Sequence, residues 1–340
     1  MDNDLNANPS DEEFKTHFET LLNPGNVPPI DLNIDDCPYI PILDDNFTPM
    51  EVELAMKSAK NKGYSGVATG LFRFITVPFL VYITQVLSLI FTSAAFPSLW
   101  CYNTLIVLFK SGSRAMCGNY RGISIMDSLS KIYDILVNVR LSSWMNIDSA
   151  QAGAQKGRSC IEQILTLRLL FDYCKSQKVK LFITFVDFQK AYDKVPRNKL
   201  LECLKSRGCG RTMLLAIAAL YKCTSFVLRS AIISASIGVR QGAPTSCLLF
   251  VFYIDKLVRM LKTSFNTDGF LGSMHALLLM DDTVIMATSR AKCIAKFETL
   301  LEFCEESGMV INERKTKLMV VNGTADDKQP IIIGDIFCRI

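Results

Sequence analysis

The sequence has few of the residues that build zinc sites. It contains only two histidines, His17 and His275, and its 12 cysteines include no CxxC pair. A zinc site of the usual spacing therefore cannot be assembled from this sequence. The acidic, polar N-terminus also lacks the features of a secretory signal. These absences predict an intracellular protein of the cytoplasm or nucleus, without a structural zinc ion.

Charged residues are absent from residues 74–109. A membrane helix needs about 20 apolar residues, so the length of this segment allows a span. Pro78, Gln85 and Pro97 interrupt it, however, and its apolar residues recur at the spacing of a buried amphipathic helix: Leu80, Ile83, Val86, Leu87 and Ile90. We therefore expect a core helix and no membrane contact, with a membrane span as the alternative.

Acidic and basic residues are unevenly distributed along the chain. Residues 1–60 carry 13 Asp/Glu against 3 Lys/Arg, whereas residues 61–340 carry 34 Lys/Arg against 20 Asp/Glu. The basic part suggests a polyanionic partner such as nucleic acid, although ordinary solvated lysines give the same composition. Residues 1–45 are rich in Asp, Asn and Pro, and we expect an acidic linker or a poorly ordered arm there.

Helical and strand-like periodicities alternate in the remainder. Helices are predicted at about 48–60, 128–144, 160–176, 197–207, 211–222 and 290–306, with a further helix capped by Thr245 or Ser246. Strands are predicted at 105–109, 181–186, 225–236, 276–280 and 283–287. Mixed helices and strands with hairpins indicate the α+β class.

Three aspartates stand at the ends of apolar runs. Asp187 follows the strand-like run Leu181–Val186, and Asp281-Asp282 sits at the tip of an apolar hairpin. Carboxylates that converge at the edge of a core repel one another unless a cation lies between them, and their hard oxygen ligands suit Mg²⁺. Two such ions can hold both the attacking and the leaving oxygen of a phosphoryl transfer. An Asp-Asp pair alone is also common in ordinary turns, so its neighbours decide.

Those neighbours resemble the reverse transcriptases of non-LTR (LINE-type) retrotransposons. The resemblance covers about residues 47–340, and its motifs stand in the order and at the spacing of the family. A single motif could match by chance, but a series of motifs in order is specific. FVDFQKAYDKVPR (185–197), GVRQGAPTSCLLFVFYID (238–255), LLMDDTVIM (278–286) and GMVINERKTKLMV (308–320) resemble motifs A to D. Upstream, residues 96–112 and 119–141 resemble the fingers motifs, and residues 151–168 resemble the segment before the palm.

The resemblance implies a right-hand polymerase fold made of fingers and palm. Residues 46–180 would form the fingers and residues 181–340 the palm, with a return to the fingers at about 206–237. The chain is expected to stop before the primer grip, so that the thumb is missing or vestigial.

The resemblance also implies roles for the aspartates. Asp187 and Asp281 would bind two Mg²⁺ ions, with Asp282 completing the triad and the backbone carbonyl of Phe188 facing a metal. Mn²⁺ is an alternative ion.

Further roles follow for residues around the nucleotide and the template. Tyr192 would be an aromatic steric gate against the ribose 2′-OH, and Gln241 and Gly242 would line the nucleotide pocket. The remaining candidates are basic: Lys110 and Arg121 for the incoming triphosphate, Lys315 or Lys317 near the pyrophosphate as a general acid, and Lys156 and Arg158 for template phosphates. An exposed, charged strand edge would account equally well for the two lysines of motif D.

Several positions depart from the family pattern. Leu279 and Met280 stand where an aromatic residue and alanine are usual, and Ala243, Thr245 and Cys247 depart from the run that normally follows Gln-Gly. Residues 61–70 only loosely resemble the family's Pro-Gly-x-Asp-Gly loop. These departures fit a decaying copy of an element as well as a working enzyme.

The predicted function is that of an RNA-directed DNA polymerase core from a truncated retrotransposon reading frame. Its partners would be an RNA template, a DNA primer and deoxynucleoside triphosphates. The first alternative is an inactive nucleic-acid-binding remnant of such an element. A different two-metal enzyme on a palm-like fold, such as a nucleotide cyclase, and a membrane protein are the others.

Overall fold

A computed structural model describes residues 8–59, 67–333 and 336–338 of the chain. The glycine-bearing stretch at 60–66 lies outside these residues. The helices of the described part are α1 (Asp11–Leu22), α2 (Pro41–Asp44), α3 (Pro49–Ser58), α4 (Val77–Ser93), α5 (Ser128–Trp144), α6 (Cys160–Gln177), α7 (Arg197–Ser206), α8 (Arg211–Lys222), α9 (Pro244–Ser264) and α10 (Arg290–Ser307). The strands are β1 (Tyr102–Phe109), β2 (Tyr120–Ile125), β3 (Leu181–Val186), β4 (Ser225–Leu228), β5 (Ala231–Ser234), β6 (Ala276–Leu279), β7 (Asp282–Ala287), β8 (Lys317–Val321), β9 (Ile331–Ile333) and β10 (Ile336–Cys338).

The chain divides into two compact units, and the α+β class is confirmed. Unit 1 consists of residues 1–145 and 192–248, and unit 2 consists of residues 146–191 and 249–340. Helix α9 contributes residues to both units.

Unit 1 contains a sheet in the order β2-β1-β4-β5. Strand β1 is antiparallel to β2 and parallel to β4, and β4 and β5 form a hairpin. Alternate residues of these strands, among them Leu105, Phe226 and Ile233, pack against helix α1 through Phe14 and Phe18. One face of the sheet is therefore covered by the N-terminal helix.

The expected linker or poorly ordered arm is wrong for residues 11–22, which form helix α1. Ser10 and Glu13 make a reciprocal capping box at its start. Phe14, Phe18 and Leu22 recur every four residues and are buried. The prediction relied on the acidic composition of this segment. A capping box before an apolar stripe predicts a helix whatever the net charge.

Helix α3 begins as predicted, with Thr48 as its N-cap and Glu51 completing a second capping box. The uncharged segment forms α4, whose buried face carries Ile83, Leu87 and Phe91. Within the part of the chain that the structure describes, no helix has both the length and the apolar character of a membrane span.

Unit 2 is built around an antiparallel sheet in the order β6-β7-β3-β8. The strand β3, which was predicted to be buried, is buried at every residue except the half-buried Phe185, as expected for a strand covered on both faces. Ile183 packs in a cluster with Cys174 of α6, whereas the next residue, Thr184, contacts Cys293 of α10 at 3.6 Å. The two helices thus cover opposite faces of the sheet.

The end of α10 and the start of α9 test two predicted helix boundaries. Helix α10 ends as predicted at Gly308, which adopts φ 72°. The proposed caps of α9, Thr245 and Ser246, are wrong, because the helix already begins at Pro244. Proline has no amide hydrogen to lose at a first helical position and its φ suits a helix start.

A buried ion pair lies beside the sheet of unit 2. The carboxylate of Asp268, which has no exposed surface, accepts hydrogen bonds from Lys296 Nζ at 2.6 Å and Lys292 Nζ at 3.0 Å. Burial opposes ionisation of this carboxyl group, but the hydrogen bonds from Lys296, Thr288 and Lys292 lower the pKa of Asp268 to about 2. The aspartate is therefore an ionised structural anchor.

Candidate active site

The register of the unit 2 sheet brings two of the predicted aspartates to one end of it. Strands β3 and β7 are antiparallel, and Val186 is paired with Thr283. Asp187 follows Val186 and Asp282 precedes Thr283, so the two acids lie at the same end of adjacent strands.

Asp281 lies in the turn at this same end. Leu279 and Asp282 are paired across the β6–β7 hairpin, which leaves Met280 and Asp281 as a two-residue turn. Met280 adopts φ 59°, a left-handed conformation that such tight hairpin turns require. Asp281 is half-buried and Asp282 is exposed.

The carboxylate of Asp187 is oriented by the segment that resembles motif D. Asn312 Nδ2 donates to Asp187 Oδ2 at 2.9 Å, and the Asn312 amide donates to the Asp187 carbonyl at 2.7 Å. Lys315 Nζ lies 3.8 Å from the same carboxylate and is 61% exposed. Asn312 was missed by sequence reasoning, although a lone amide beside the apolar run Met309–Ile311 was a usable signal.

The other unit 2 candidates occupy different positions. Phe188 is buried and bridges to Ile311. Lys317 lies within β8 and is paired with Phe185. Lys315 is the lysine of the two whose ammonium group lies within 4 Å of Asp187. Lys156 is exposed.

Arg158 makes contacts within the protein. Its Nε donates to Glu162 at 2.5 Å, one helical turn away, and its guanidinium also donates to the Ser149 carbonyl at 2.9 Å. These bonds use Nε and one terminal nitrogen of the guanidinium group, which was predicted to contact template phosphates.

The oxygen ligands at this sheet end fit a magnesium ion. Across residues 8–59, 67–333 and 336–338, no cluster of three or more His, Cys, Asp or Glu side chains is arranged to hold a metal. Mg²⁺, however, is usually bound by one or two carboxylates while water and substrate phosphates complete its shell. Asp187 and Asp281 at one strand end meet that smaller requirement.

In unit 1, the predicted triphosphate residues lie on the β1–β2 hairpin. Arg121 is paired with Leu108 across the two strands, and the Lys110 amide donates to Asn119 just beyond them at 2.9 Å. Leu108 and Lys110 are two positions apart, so Lys110 and Arg121 share the face opposite to α1. Both basic residues are exposed.

The loop that precedes α9 depends on glycine at position 242. Gly242 has φ 108°, and a Cβ atom there would come within 2.6 Å of the Ser124 carbonyl oxygen. The Ser124 amide donates to the Gln241 carbonyl at 2.6 Å. The loop therefore lies directly against the end of β2, an approach that a side chain would prevent.

The same loop is attached to the segment that contains Tyr192. The Val239 amide donates to the Tyr192 carbonyl at 2.9 Å, and Gln241 Nε2 donates to Asp193 Oδ1 at 2.7 Å. Unit 1 thus brings together Tyr192, Gln241 and Gly242, as the resemblance implies.

Two buried arginines hold this loop, and sequence reasoning missed both. Arg240, which is 1% exposed, donates to Asp134 of α5 at 3.0 Å, and Thr245 also donates to Asp134. Burial raises the pKa of Asp134, and the charge of Arg240 opposes that rise. The signal for this pair was an aspartate among the apolar residues of α5.

The second arginine is Arg197 at the start of α7. It donates to the carbonyls of Gly238 at 3.1 Å, Tyr221 at 2.8 Å and Ala235. Burial lowers the pKa of Arg197 to about 10, so it stays charged at neutral pH. Three carbonyls on one guanidinium fix the backbone on which Gln241 depends.

Known proteins with similar sequences include proteins of transposons and retrotransposable elements. The chain is 21% identical over 252 residues to the retrovirus-related Pol polyprotein from the type-2 retrotransposable element R2DM of Drosophila melanogaster. The aligned region covers 70% of this chain and 24% of that protein. It is 26% identical over 194 residues to a probable RNA-directed DNA polymerase from transposon BS of the same species, covering 49% of this chain and 21% of that protein. The chain therefore spans about a quarter of the length of the first relative and about a fifth of the second.

A solved structure of telomerase from Candida tropicalis with a fragment of telomeric RNA is also similar. It shares 13% identity and a TM-score of 0.47, and the similar region covers 75% of this chain and 46% of that one.

The chain also matches a family model. The model described as reverse transcriptase (RNA-dependent DNA polymerase) matches residues 109–331. These residues make up more than half of the chain and contain both strands that carry the aspartates. With the α+β architecture, the match confirms the predicted right-hand polymerase fold, and the chain belongs to the reverse transcriptase (RNA-dependent DNA polymerase) family.

Proposed function

We propose that this chain is the core of a non-LTR retrotransposon reverse transcriptase, which copies an RNA template onto a DNA primer from deoxynucleoside triphosphates. The observation that carries the proposal is the placement of Asp187 and Asp281 at one end of the unit 2 sheet. The primer 3′-hydroxyl would attack the α-phosphate and pyrophosphate would leave, a reaction that depends mainly on positioning and charge neutralisation.

We assign unit 1 to the fingers and unit 2 to the palm. This assignment transfers residues 146–180 from the predicted fingers to the palm. It transfers residues 192–205 and 238–248 from the predicted palm to the fingers, and it adds α1 to the fingers. The intracellular location stays a prediction.

The acidic end of the unit 2 sheet would hold the metal ions. Asp187 and Asp281 would supply the carboxylates, Asp282 a further one, and the backbone of Phe188 a carbonyl. Two Mg²⁺ ions, or Mn²⁺ in their place, would neutralise developing charge on the phosphates. Asn312 donates a hydrogen bond to the Asp187 carboxylate, and Lys315 would donate a proton to pyrophosphate.

The nucleotide would be bound by residues of unit 1. Lys110 and Arg121 present two positive charges on one exposed face of a hairpin, which suits a triphosphate. Tyr192 would exclude a ribose 2′-OH, and Gln241, held by Asp193, would face the nascent base pair. Lys156 would contact the template backbone, with Arg158 as the weaker candidate because of its internal bonds.

An inactive nucleic-acid-binding remnant is the second candidate. Leu279 and Met280 depart from the family pattern beside Asp281, while the basic face of unit 1 would persist without catalysis. Family membership favours a polymerase over a nucleotide cyclase.

Primer extension tests the proposal directly. The chain should extend a DNA primer on an RNA template with Mg²⁺ or Mn²⁺, and Asp281→Asn should reduce the rate by about a thousandfold or more because a metal carboxylate is lost. Asp172→Asn removes an exposed aspartate of α6 and should leave the rate unchanged.

Filter binding of the same primer–template separates the two candidates. Binding with extension that depends on Asp281 supports the polymerase. Binding without extension, equal in the wild type and in Asp281→Asn, would establish the remnant in its place.

A further inference from the structure

Residues 150–152 form a short additional edge beside the catalytic hairpin. The Leu278 amide donates to the Ala150 carbonyl at 2.8 Å, and the Ala152 amide donates to the Leu278 carbonyl at 2.8 Å. Gln151 and Leu278 are paired in a parallel bridge. The segment therefore extends the sheet of unit 2 next to β6, immediately before the turn that carries Asp281.

The side chain of Gln151 continues this pairing onto the turn itself. Its Oε1 accepts from the Met280 amide at 3.0 Å and from the Gly153 amide at 2.7 Å. Its Nε2 donates to the Met280 carbonyl at 3.1 Å. Gln151 has no exposed surface, so one buried side-chain amide binds both polar groups of a turn residue as a neighbouring strand would.

Met280 is the residue of the turn that needs such support. Its φ of 59° is unfavourable for a residue with a long side chain, and such conformations persist only where the surroundings impose them. Gly153 allows the close approach, because a Cβ atom there would come within 2.5 Å of the Met280 nitrogen.

Two further glutamines hold the segment that carries Gln151. Gln155 Nε2 donates to the Gln151 carbonyl. Gln163 of α6 donates to the Ala150 carbonyl at 3.2 Å and to the Leu278 carbonyl at 3.4 Å. The position of Gln151 relative to β6 is thus set from both the segment and the helix that follows it.

We propose that Gln151 is a positioning residue that fixes the Met280–Asp281 turn and thereby the aspartate that binds metal. The hydrogen bonds of Gln151 are independent of the proposed function. Their effect on metal binding and catalysis rests on that function. A partner that orients a metal ligand commonly changes metal affinity by about 10- to 100-fold when it is lost, and small displacements at a reacting centre reduce rates on a similar scale.

Gln151→Met in the full chain tests this role, because methionine keeps the length of the side chain and removes its three hydrogen bonds. Hydrogen exchange of the Met280 amide should become at least about tenfold faster, since its acceptor is gone. The midpoint for Mn²⁺ binding, followed by the electron paramagnetic resonance of free Mn²⁺, should rise about 10- to 100-fold. Gln151→Glu keeps the acceptor for the Met280 amide and should restore its slow exchange.

Asn322→Ala is the matched control. Asn322 Nδ2 also donates to two backbone carbonyls, those of Cys174 at 2.7 Å and Val179 at 2.9 Å. It follows Val321, which is paired with Leu181 at the opposite end of β3 from Asp187. Its loss should lower the melting temperature while Met280 exchange and the Mn²⁺ midpoint stay as in the wild type.

The outcomes separate this inference from the proposed function. Unchanged Met280 exchange in Gln151→Met, or faster exchange with an unchanged Mn²⁺ midpoint, would overturn the positioning role. An equal rise of the Mn²⁺ midpoint in Asn322→Ala would overturn it as well, since general destabilisation would then explain the effect. A wild-type chain that binds Mn²⁺ without extending a primer would contradict the proposed function alone.

Discussion

The two units position their candidate site residues in different ways. In unit 2, Asp187 and Asp281 are placed by the register of β3, β7 and the β6–β7 turn, which many backbone hydrogen bonds determine. In unit 1, Gln241 and Gly242 lie in a loop held by a buried ion pair and one close backbone approach. The strand register is therefore set by many hydrogen bonds at once, whereas the loop is held by a few side chains.

The largest effect on stability is expected from breaking the ion pair of unit 1. Asp134→Asn leaves Arg240 charged and buried, which should lower the free energy of unfolding by about 3–5 kcal/mol. Because Arg240 adjoins Gln241, the KM for deoxynucleotides should also rise at temperatures where the variant is folded. Denaturant melts and steady-state primer extension measure the two effects.

The equivalent change in unit 2 sharpens the comparison. Asp268→Asn leaves Lys296 without its partner in a fully buried position and should reduce stability by a similar amount. The nucleotide KM should not change in this variant. A rise in KM of equal size in both variants would show that lost stability, and not the loop, sets nucleotide affinity.

A smaller loss of stability is expected at Gly242. Alanine there combines an unfavourable φ with a contact of 2.6 Å to the Ser124 carbonyl, so stability should fall by about 1–3 kcal/mol, and the nucleotide KM should rise about tenfold. Gly208→Ala is the control, because Gly208 has φ 78° with nothing within 4 Å of an added Cβ. An equal effect on KM at both glycines would contradict a role for the approach to β2.

The elements that the sequence predicted well are those whose signals are local. The run Leu181–Val186 is short and apolar except for Thr184, and it forms β3 with the same bounds. Helix α5 matched its predicted range of 128–144 because a cap and helical periodicity lie within a few residues of each other. Helix α1 also has local signals, its capping box and apolar stripe. The prediction of a linker there was wrong because it rested on acidic composition alone.

The contacts that hold the site could not be predicted in this way. Arg240 and Asp134 are 106 residues apart, and Gln151 and Met280 are 129 apart. Periodicity states which face of an element is buried, but it does not state which distant polar group lies opposite. Arg197, Arg240 and Asn312 lie within the quoted motifs, yet the sequence does not show which distant groups they contact.

A change at Tyr192 tests unit 1 with little effect on the fold. If Tyr192 is the proposed gate, Tyr192→Val should reduce the preference for deoxynucleotides over ribonucleotides by about tenfold or more, because the ring that would meet the 2′-OH is removed. Stability should fall by only about 1 kcal/mol, since Tyr192 is half-buried. Competition between the two nucleotide types in primer extension measures the preference.

Tyr102→Val is the control for that change. Tyr102 is a 40% exposed residue of β1 in the same unit, and valine suits a strand. If this variant relaxed the preference as much as Tyr192→Val, the sugar would be selected by some property of unit 1 other than the predicted gate.

The smallest effect on stability is expected for Lys315→Ala in unit 2. The Lys315 side chain is 61% exposed and its Nζ lies 3.8 Å from Asp187 Oδ2, and an exposed pair of this kind contributes at most about 1 kcal/mol. If Lys315 protonates the leaving pyrophosphate, kcat should nevertheless fall by about 100-fold while KM changes little, because a general acid acts mainly in the transition state. Lys256→Ala, which removes an exposed ion pair with Glu306 from the same unit, should leave kcat unchanged. A loss of kcat no greater than in Lys256→Ala would assign proton transfer to another group. Unit 2 would then contribute to catalysis only through the aspartates that strand register places at one end of its sheet.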